Sequence, residues 1–460
     1  MTPRTRRRTI GAIGIVLVGA LVAGAWLALQ ILRIGVAYKA KMLCSGTFVS
    51  RRDAGAVLAE LQSDDLAILR YIDVHVDSAA RSVAASGFGI VRRRAVYREG
   101  LGCALALDGL TPPGLPAADR AIVTPNPPTP AVKEAAREES SPKLEAVIAR
   151  AFSEPDPQRP RRTLAVVVMR DGRVLYERYA AGIGPETPLI GWSMAKSVTN
   201  ALVGILVLQG RLALDAPVPI PEWKAAGDPR AEITLDHLLR MSSGLRFDEG
   251  MSSPRSDVMR MLLDVGDAAA LAIHKDLVAP PGTRWQYASG TSNILARVIR
   301  NALHDDASYL AFPRHELFDR IGMSSAVLET DASGTFVGSS YMYATARDWA
   351  RFGTLYLRDG VWNGERLLPE GWVKYSTSLA PADPQQRYGA HFWLRIADEY
   401  RGTGAQLPVG TYHAVGYGGQ FVTVVPARKV VIVRLGDTRY ADAWHHAAFV
   451  QEMLAVLDHD

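Results

Sequence analysis

The longest apolar stretch of the chain lies near its N-terminus. Residues 10–32 are apolar apart from Gln30, and four arginines occur among the first eight residues. About 20 apolar residues suffice to cross a bilayer, and positive charge ahead of them predicts a cytoplasmic N-terminus. We expect residues 1–40 to form a basic tail and an uncleaved signal anchor in the inner membrane, with the rest periplasmic. A cleaved signal peptide is the alternative, but its apolar region is usually shorter, and no small-x-small site precedes Lys39 and Lys41.

A small unit is predicted outside the membrane, over residues 41–110. Residues 71–76 alternate apolar and polar side chains, as half-buried strands do, and residues 89–107 carry further short apolar runs. The unit contains the only two cysteines of the chain, Cys44 and Cys103. We expect them to pair as a disulfide, because the space outside the membrane is oxidising. Two unrelated buried thiols are the alternative.

A proline-rich segment follows the small unit. Seven of the residues in 111–140 are prolines, which predicts an extended, semi-rigid linker. The large domain, residues 141–460, begins with Ser141 and Pro142, which suit the N-cap and first position of a helix.

Strand patterns occur at both ends of the large domain, and the middle is mostly helical and rich in loops. An amphipathic helix is predicted to close the chain. This arrangement indicates one sheet interrupted by a helical insertion, an α+β or mixed α/β design with its cleft between the layers. The predicted strands are residues 163–169, 174–179, 421–425 and 430–435, and the last helix is residues 442–457.

The strongest candidate for chemistry is the tetrad from Ser193 to Lys196, an S-x-x-K pattern that opens an apolar run. If that run is a helix, Ser193 lies in its first turn and Lys196 one turn later on the same face. A buried lysine has a lowered pKa and can remove the serine proton, while the helix N-terminus favours a developing oxyanion. A surface helix start is the alternative, but the following helix is apolar nearly all round, which indicates burial.

Two further elements are weak signals by themselves. Tyr287 lies on a loop after a Pro-Pro-Gly turn, just before a helical pattern, where functional side chains are often displayed. A buried packing role is its alternative. Residues 416–420 place glycines between two apolar strands, which permits the close approach of a ligand, although a hairpin turn or a bulge explains them equally.

The order of these elements resembles the serine β-lactamase and penicillin-binding superfamily: an S-x-x-K serine, a Y-x-[NS] loop, then a glycine-containing edge strand. The chain is most similar to class C enzymes and their esterase and amidase relatives, and among these to 6-aminohexanoate-dimer (nylon-oligomer) hydrolases. Residues 233–245, 317–323 and 344–353 also match that group. The resemblance covers residues 141–460 and implies a β-lactamase/DD-peptidase-like antiparallel sheet flanked by helices, with a helical insertion.

The resemblance also implies residue roles. Ser193 would be the acylated nucleophile, Lys196 its base, and Tyr287 the proton relay to the leaving group. The backbone N–H groups of Ser193 and Gln420 would form the oxyanion hole. A charged lysine would also hold down the pKa of the tyrosine. The residues implied to contact substrate are Trp192, Ser289, Tyr417, Gly418 and Gly419.

Two departures from the superfamily pattern affect the expected substrate. The second motif ends in Ser289 instead of asparagine, and Tyr417 stands where β-lactamases carry a lysine. A tyrosine offers a hydroxyl but no charge for a substrate carboxylate. We therefore expect an envelope-anchored serine hydrolase that cleaves an ester or a linear amide through an acyl-enzyme. The alternatives are a penicillin-binding-type D-alanyl peptidase or a β-lactamase, and a non-catalytic binding protein with the same fold.

The composition limits the classes of partner that we expect the chain to bind. The 460 residues are 48% hydrophobic and 22% charged, which suits a globular protein of two or three units. The net charge of +5 is modest, so we expect no nucleic-acid partner. The ten histidines form no metal set, and neither a metal nor a cofactor is expected. The expected partners are a small ester or amide substrate and the membrane; the oligomeric state is left open.

Overall fold

The computed structural model describes residues 3–62, 67–110, 112–113, 141–303, 305–400 and 404–458. The predicted linker, residues 111–140, lies outside the described residues except for Pro112 and Pro113. The helices are α1 (Pro3–Cys44), α2 (Ala54–Gln62), α3 (Pro142–Ala151), α4 (Ala195–Leu208), α5 (Leu235–Leu239), α6 (Asp257–Leu263), α7 (Ala268–Ile273), α8 (Ser289–Leu303), α9 (Asp306–Pro313), α10 (Ala346–Leu357), α11 (Trp372–Ser376), α12 (Ala397–Tyr400) and α13 (His446–Leu457). The strands are β1 (Ile72–Asp77), β2 (Ser82–Gly87), β3 (Val91–Arg98), β4 (Gly102–Leu105), β5 (Thr163–Arg170), β6 (Arg173–Tyr179), β7 (Leu189–Ile190), β8 (Val327–Leu328), β9 (Met342–Ala344), β10 (Val361–Trp362), β11 (Glu365–Arg366), β12 (Tyr412–Gly416), β13 (Gln420–Val425) and β14 (Val430–Gly436).

Helix α1 continues twelve residues beyond the apolar stretch. Its apolar side chains are exposed as far as Ile31, and from Leu32 onwards the helix is largely buried against the small unit. Of the helices in the described part of the chain, α1 is the one long and apolar enough to cross a membrane. Within the continuation, Lys39 donates hydrogen bonds to the carbonyls of Leu69 and Ile72, at 2.7 and 2.5 Å.

The small unit is an antiparallel meander, β1-β2-β3-β4, covered by the second half of α1. The strand predicted over residues 71–76 is β1, which pairs with β2. Cys44, at the end of α1, and Cys103, on β4, are joined by a disulfide with their Cα atoms 6.1 Å apart. The bond ties the end of the helix to the last strand of the sheet.

A buried charge joins the small unit to the large domain. Glu329, which follows β8, accepts hydrogen bonds from the Lys41 ammonium, from Ser45 Oγ at 2.9 Å and from the Cys103 amide at 2.6 Å. The same ammonium lies 4.0 Å from the ring centroid of Tyr341. Burying charges is costly unless they are paired and hydrogen-bonded, so these contacts define how the two parts fit together.

The large domain is built on a five-stranded antiparallel sheet, β12-β13-β14-β5-β6. Strands β5 and β6 come from the start of the domain, and β12, β13 and β14 come from its end. The pairing of β14 with β5 joins the two sets into one sheet. Alternate residues of β5 face opposite sides: Val166 and Val168 pack with α3 and α13, whereas Val167 packs with the main helical core. The α+β fold with a helical insertion, predicted from strand patterns at the two ends, is confirmed.

Candidate active site

Ser193 lies in a single 3-10 turn, Trp192–Met194, immediately before α4. The sequence had indicated that Ser193 lies in the first turn of the α-helix. In the structure it precedes that helix instead. Trp192 adopts a left-handed φ of 46°, a conformation that costs a non-glycine residue about 1–3 kcal/mol and is concentrated at functional sites. A Cβ atom at Gly416 would lie 2.1 Å from the Gly191 carbonyl, so glycine is needed where β12 approaches this turn.

Lys196 is fully buried beside the serine. Its Nζ donates hydrogen bonds to Ser193 Oγ, to Ser289 Oγ and to the Ser339 carbonyl, each at 3.0 Å. Burial lowers the pKa of Lys196 to about 8, although the negative charge of Glu249 opposes that shift. A lysine with such a pKa exchanges between ammonium and amine near neutral pH, which suits a general base.

Tyr287 lies on the loop before α8, as predicted, and its ring is enclosed by aromatic neighbours. The ring centroids of Tyr388 and Trp393 lie 5.9 and 5.5 Å away, and Lys196 Nζ lies 4.9 Å from the Tyr287 centroid. Burial raises the Tyr287 pKa well above its usual value, and Glu249 raises it further, while a hydrogen bond with Ser193 lowers it. The expectation that Lys196 holds this pKa down is therefore wrong. The phenol stays protonated at neutral pH.

Glu249 is the site residue that the sequence did not reveal. It lies on the loop between α5 and α6, and its carboxylate accepts hydrogen bonds from the Ser289 amide at 2.8 Å and from the Ser289 hydroxyl. Ser289 thus connects Glu249 to Lys196. No periodicity or motif marks a single loop glutamate, so the one available signal was the serine that replaces asparagine in the second motif.

Gln420 lies at the start of β13, opposite Gly416 on β12. Its side-chain amide donates to the Gly436 carbonyl and accepts from the Gly436 amide at 3.1 Å. The side chain is therefore occupied in the sheet, so any catalytic part that Gln420 takes falls to its backbone N–H. Contacts between β12 and the Trp192–Met194 turn bring this edge of the sheet to the serine.

Gly418 and Gly419 form the β12–β13 turn with φ values of 75° and 77°. They are the hairpin glycines that the sequence allowed as an alternative, and they also border the candidate site. A Cβ atom at Gly419 would lie 2.0 Å from an Arg434 nitrogen, and Arg434 in turn donates to the Gly419 carbonyl at 2.7 Å. The buried arginine, whose pKa burial lowers to about 9, thus fixes the turn.

Tyr417 stands partly exposed at the tip of this hairpin. Its ring makes an edge contact with Trp192 at 5.9 Å, which links two of the residues predicted to contact substrate. The Arg439 guanidinium lies 5.8 Å from the centroid of the same ring and is ion-paired with Asp437 at 2.9 Å. Arg439 therefore places a positive charge beside the third motif, Tyr417-Gly418-Gly419, although Arg439 itself is not part of that motif.

A cavity of about 320 Å³ borders the hairpin. Its walls are largely apolar and include several aromatic rings, among them Trp393, the residue that also packs on Tyr287. Such walls suit an apolar substituent, and the neighbouring Arg439 adds one charged group at the rim. The aromatic and cationic lining residues are Trp393, Tyr417, Phe421, Arg439, Tyr440 and Trp444.

The fold agrees with the comparison to known families. The family model described as Beta-lactamase matches residues 148–453, about two thirds of the chain. The chain belongs to the beta-lactamase family. The resemblance inferred from the motifs is thereby confirmed, and the large domain is a beta-lactamase-fold member of a family of hydrolases.

Individual relatives agree with this assignment. A 6-aminohexanoate-dimer hydrolase from Paenarthrobacter ureafaciens is 27% identical over 311 residues, covering 62% of this chain and 75% of that protein. The structure of a penicillin-binding protein homologue from Caulobacter crescentus aligns with a TM-score of 0.54 at 16% identity, covering 70% of this chain and 98% of that one. A family VIII carboxylesterase aligns with a TM-score of 0.52 at 15% identity, covering 70% and 99%. These two structures share the fold.

Proposed function

We propose that this beta-lactamase-family protein is a serine hydrolase, anchored in the cell envelope by α1, that cleaves an ester or a linear amide. The observation that carries the proposal is the 3.0 Å contact between the buried Lys196 Nζ and Ser193 Oγ. A lysine whose pKa burial lowers to about 8 can take the serine proton at physiological pH.

Acylation would begin with the amine form of Lys196. As Nζ accepts the proton of Ser193, Oγ attacks the substrate carbonyl carbon, and the oxyanion forms facing the N–H groups of Ser193 and Gln420. Collapse of the tetrahedral intermediate breaks the bond to the leaving oxygen or nitrogen. That atom receives the phenolic proton of Tyr287, and the phenolate regains a proton from the Lys196 ammonium. The lysine is then an amine again.

Deacylation would use the same groups in the opposite direction. Water loses a proton through Tyr287 to Lys196 while its oxygen attacks the acyl carbon. The second intermediate then releases Ser193 Oγ, which takes a proton back from the lysine. The raised pKa of the tyrosine fits a relay that is protonated at rest. No cofactor enters either step.

An ester or a linear amide is favoured by the third motif. Tyr417 supplies no charge where the superfamily pattern has lysine, so a neutral substrate would avoid the cost of burying a carboxylate without a matched cation. The names of the relatives agree with this class: one is a 6-aminohexanoate-dimer hydrolase and another a carboxylesterase.

Labelling with a fluorophosphonate probe tests the proposal. The full-length protein should be labelled at Ser193, and Ser193→Ala should lose both the label and the hydrolysis of a p-nitrophenyl ester. Ser153→Ala, which alters an exposed loop serine, is the matched control and should keep both. Labelling that persists in Ser193→Ala would remove this serine from the mechanism.

A further inference from the structure

The exposure of α1 falls within two turns. Between Ile13 and Ile31 its large apolar side chains are exposed, apart from the partly buried Leu29, whereas Leu32 is only 6% exposed and begins the buried half. The exposed part rises about 27 Å at 1.5 Å per residue, close to the roughly 30 Å hydrocarbon core of a bilayer. If α1 crosses the membrane, the membrane surface therefore lies close to the stretch, residues 26–32, where the folded part begins to contact the helix.

Large apolar side chains surround the point where α1 leaves the folded part. A Cβ atom at Gly87 would lie 2.4 Å from a Leu32 methyl group, so the β2–β3 turn lies beside that residue. The turn carries Phe88 and Ile90, and Ile90 is 73% exposed. The ring of Tyr71, also exposed, stacks on Phe88 with the centroids 6.4 Å apart.

A second contact reaches further along α1. The Arg255 guanidinium lies 4.8 Å from the ring centroid of Trp26, which precedes Leu32 by about 9 Å along the helix axis. Aromatic rings and arginines are characteristic of the membrane–water interface, so the Trp26–Arg255 pair is a contact expected in the interfacial region of a bilayer. Arg255 ends the loop that carries Glu249 and the exposed Met251.

We propose that a membrane-docking surface, formed by Tyr71, Phe88, Ile90, Met251 and Arg255, contacts the headgroup–acyl boundary of the bilayer that α1 crosses. The proposal rests on the anchoring proposed above. Its ligand class is anionic phospholipid, because exposed Arg70 and Arg92 also flank Tyr71 and Ile90. The docking would hold the folded part flush against the membrane and place the Glu249 loop at its surface.

Depth-dependent quenching of a fluorophore tests the docking in the full-length protein. Both native cysteines are in the disulfide, so one introduced cysteine can be labelled selectively with nitrobenzoxadiazole. Ile90→Cys and Tyr71→Cys probe the surface, Leu21→Cys reports on the span, and Val409→Cys, at a 98% exposed residue, is the aqueous control. The proteins are placed in nanodiscs of phosphatidylcholine and phosphatidylglycerol, without quencher, with 5-doxyl lipid for the boundary, or with 16-doxyl lipid for the centre of the bilayer.

The docking predicts blue-shifted emission from the I90C and Y71C proteins that 5-doxyl lipid quenches, quenching of L21C by the deeper 16-doxyl lipid, and no quenching of V409C by either. Two surface positions are labelled, so that the test still stands if one of the two variants fails to fold. Quenching of L21C together with unquenched I90C and Y71C would overturn the docking while leaving the anchor intact. An unquenched L21C would show that α1 does not cross the bilayer and would remove the basis of both the anchor and the docking. Turnover of a p-nitrophenyl ester, measured on the same samples, separates these outcomes from a failure of the proposed hydrolase activity.

Discussion

Lys196 and Glu249 meet through one hydroxyl group. Ser289 Oγ accepts a hydrogen bond from Lys196 Nζ at 3.0 Å and donates one to the Glu249 carboxylate. Burial favours the neutral amine, the carboxylate favours the ammonium, and the balance leaves the Lys196 pKa at about 8. The fraction of lysine ready to act as a base therefore depends on burial first and, in the opposite direction, on a residue outside the three motifs.

The first prediction concerns the pH dependence of acylation. The amine form of Lys196 increases as pH rises through about 8, so kcat/KM for a neutral ester should rise with pH and level off above that midpoint. The raised pKa of Tyr287 keeps the phenol protonated, so no falling limb is expected near neutrality. Stopped-flow acylation between pH 6 and 9.5 measures the profile. A rate that falls as pH rises through 8 would contradict lysine as the base.

The second prediction is that Glu249→Gln moves this profile to lower pH. Loss of the negative charge removes the opposition to the burial effect, so the midpoint should fall by about one pH unit. Glu365→Gln, an exposed carboxylate on β11, is the matched control and should leave the midpoint unchanged. If activity falls in Glu249→Gln without any shift of the midpoint, the glutamate acts only by holding the loop.

The site shows which relationships a sequence can reveal. Ser193 and Lys196 are three residues apart in a fixed motif, so their contact follows from local geometry. Glu249 reaches the lysine only through tertiary packing, and no spacing marks it. The direction of the Tyr287 pKa was wrong for the same reason: the motif includes the nearby lysine but neither the burial of the ring nor the glutamate.

In the fold, too, local features could be predicted from the sequence, whereas contacts between distant residues could not. The strand patterns at both ends of the large domain predicted the sheet, because a short apolar run is a local signal. The extent of α1 was underestimated, since two lysines normally mark the end of an apolar helix. Lys41 instead reaches Glu329, which is 288 positions away in the sequence, and no local pattern announces such a partner.

The third prediction concerns that buried pair. Glu329→Ala would leave the Lys41 ammonium buried without its counter-charge, which typically costs about 3–5 kcal/mol. The free energy of unfolding, measured by urea titration in detergent, should fall by that amount. The Glu99→Ala control breaks an exposed ion pair with Arg81 and should have little effect. Equal stabilities for the two variants would show that the junction contributes nothing.

The fourth prediction concerns the disulfide. Cys44 and Cys103 are 59 residues apart, and closing a loop of that length stabilises a fold by about 4 kcal/mol in the chain-entropy model. Non-reducing peptide mapping of protein taken from the envelope should yield one cross-linked peptide pair. The Cys44→Ser/Cys103→Ser variant should unfold at a lower temperature. Two alkylatable thiols in the native protein would refute the pairing.

The last prediction concerns the substrate class and returns to Tyr417. A β-lactam such as nitrocefin brings a carboxylate into the site, and burying that charge is costly without a matched cation. Arg439 is close to Tyr417, but it is already paired with Asp437, so it offers less than a dedicated lysine. We expect kcat/KM for nitrocefin to be far below that for a p-nitrophenyl ester or a linear amide.

Tyr417→Lys sharpens this test because it restores the charge of the superfamily pattern. It should raise kcat/KM for nitrocefin and leave turnover of the neutral ester largely unchanged, since the acylating Ser193 and Lys196 are untouched. Tyr417→Phe is the matched control: it removes the hydroxyl without adding charge and should not improve nitrocefin turnover. Efficient nitrocefin hydrolysis by the unaltered protein, together with inert esters and amides, would instead make the chain a true β-lactamase. Arg439 would then be the first residue to examine as the carboxylate partner.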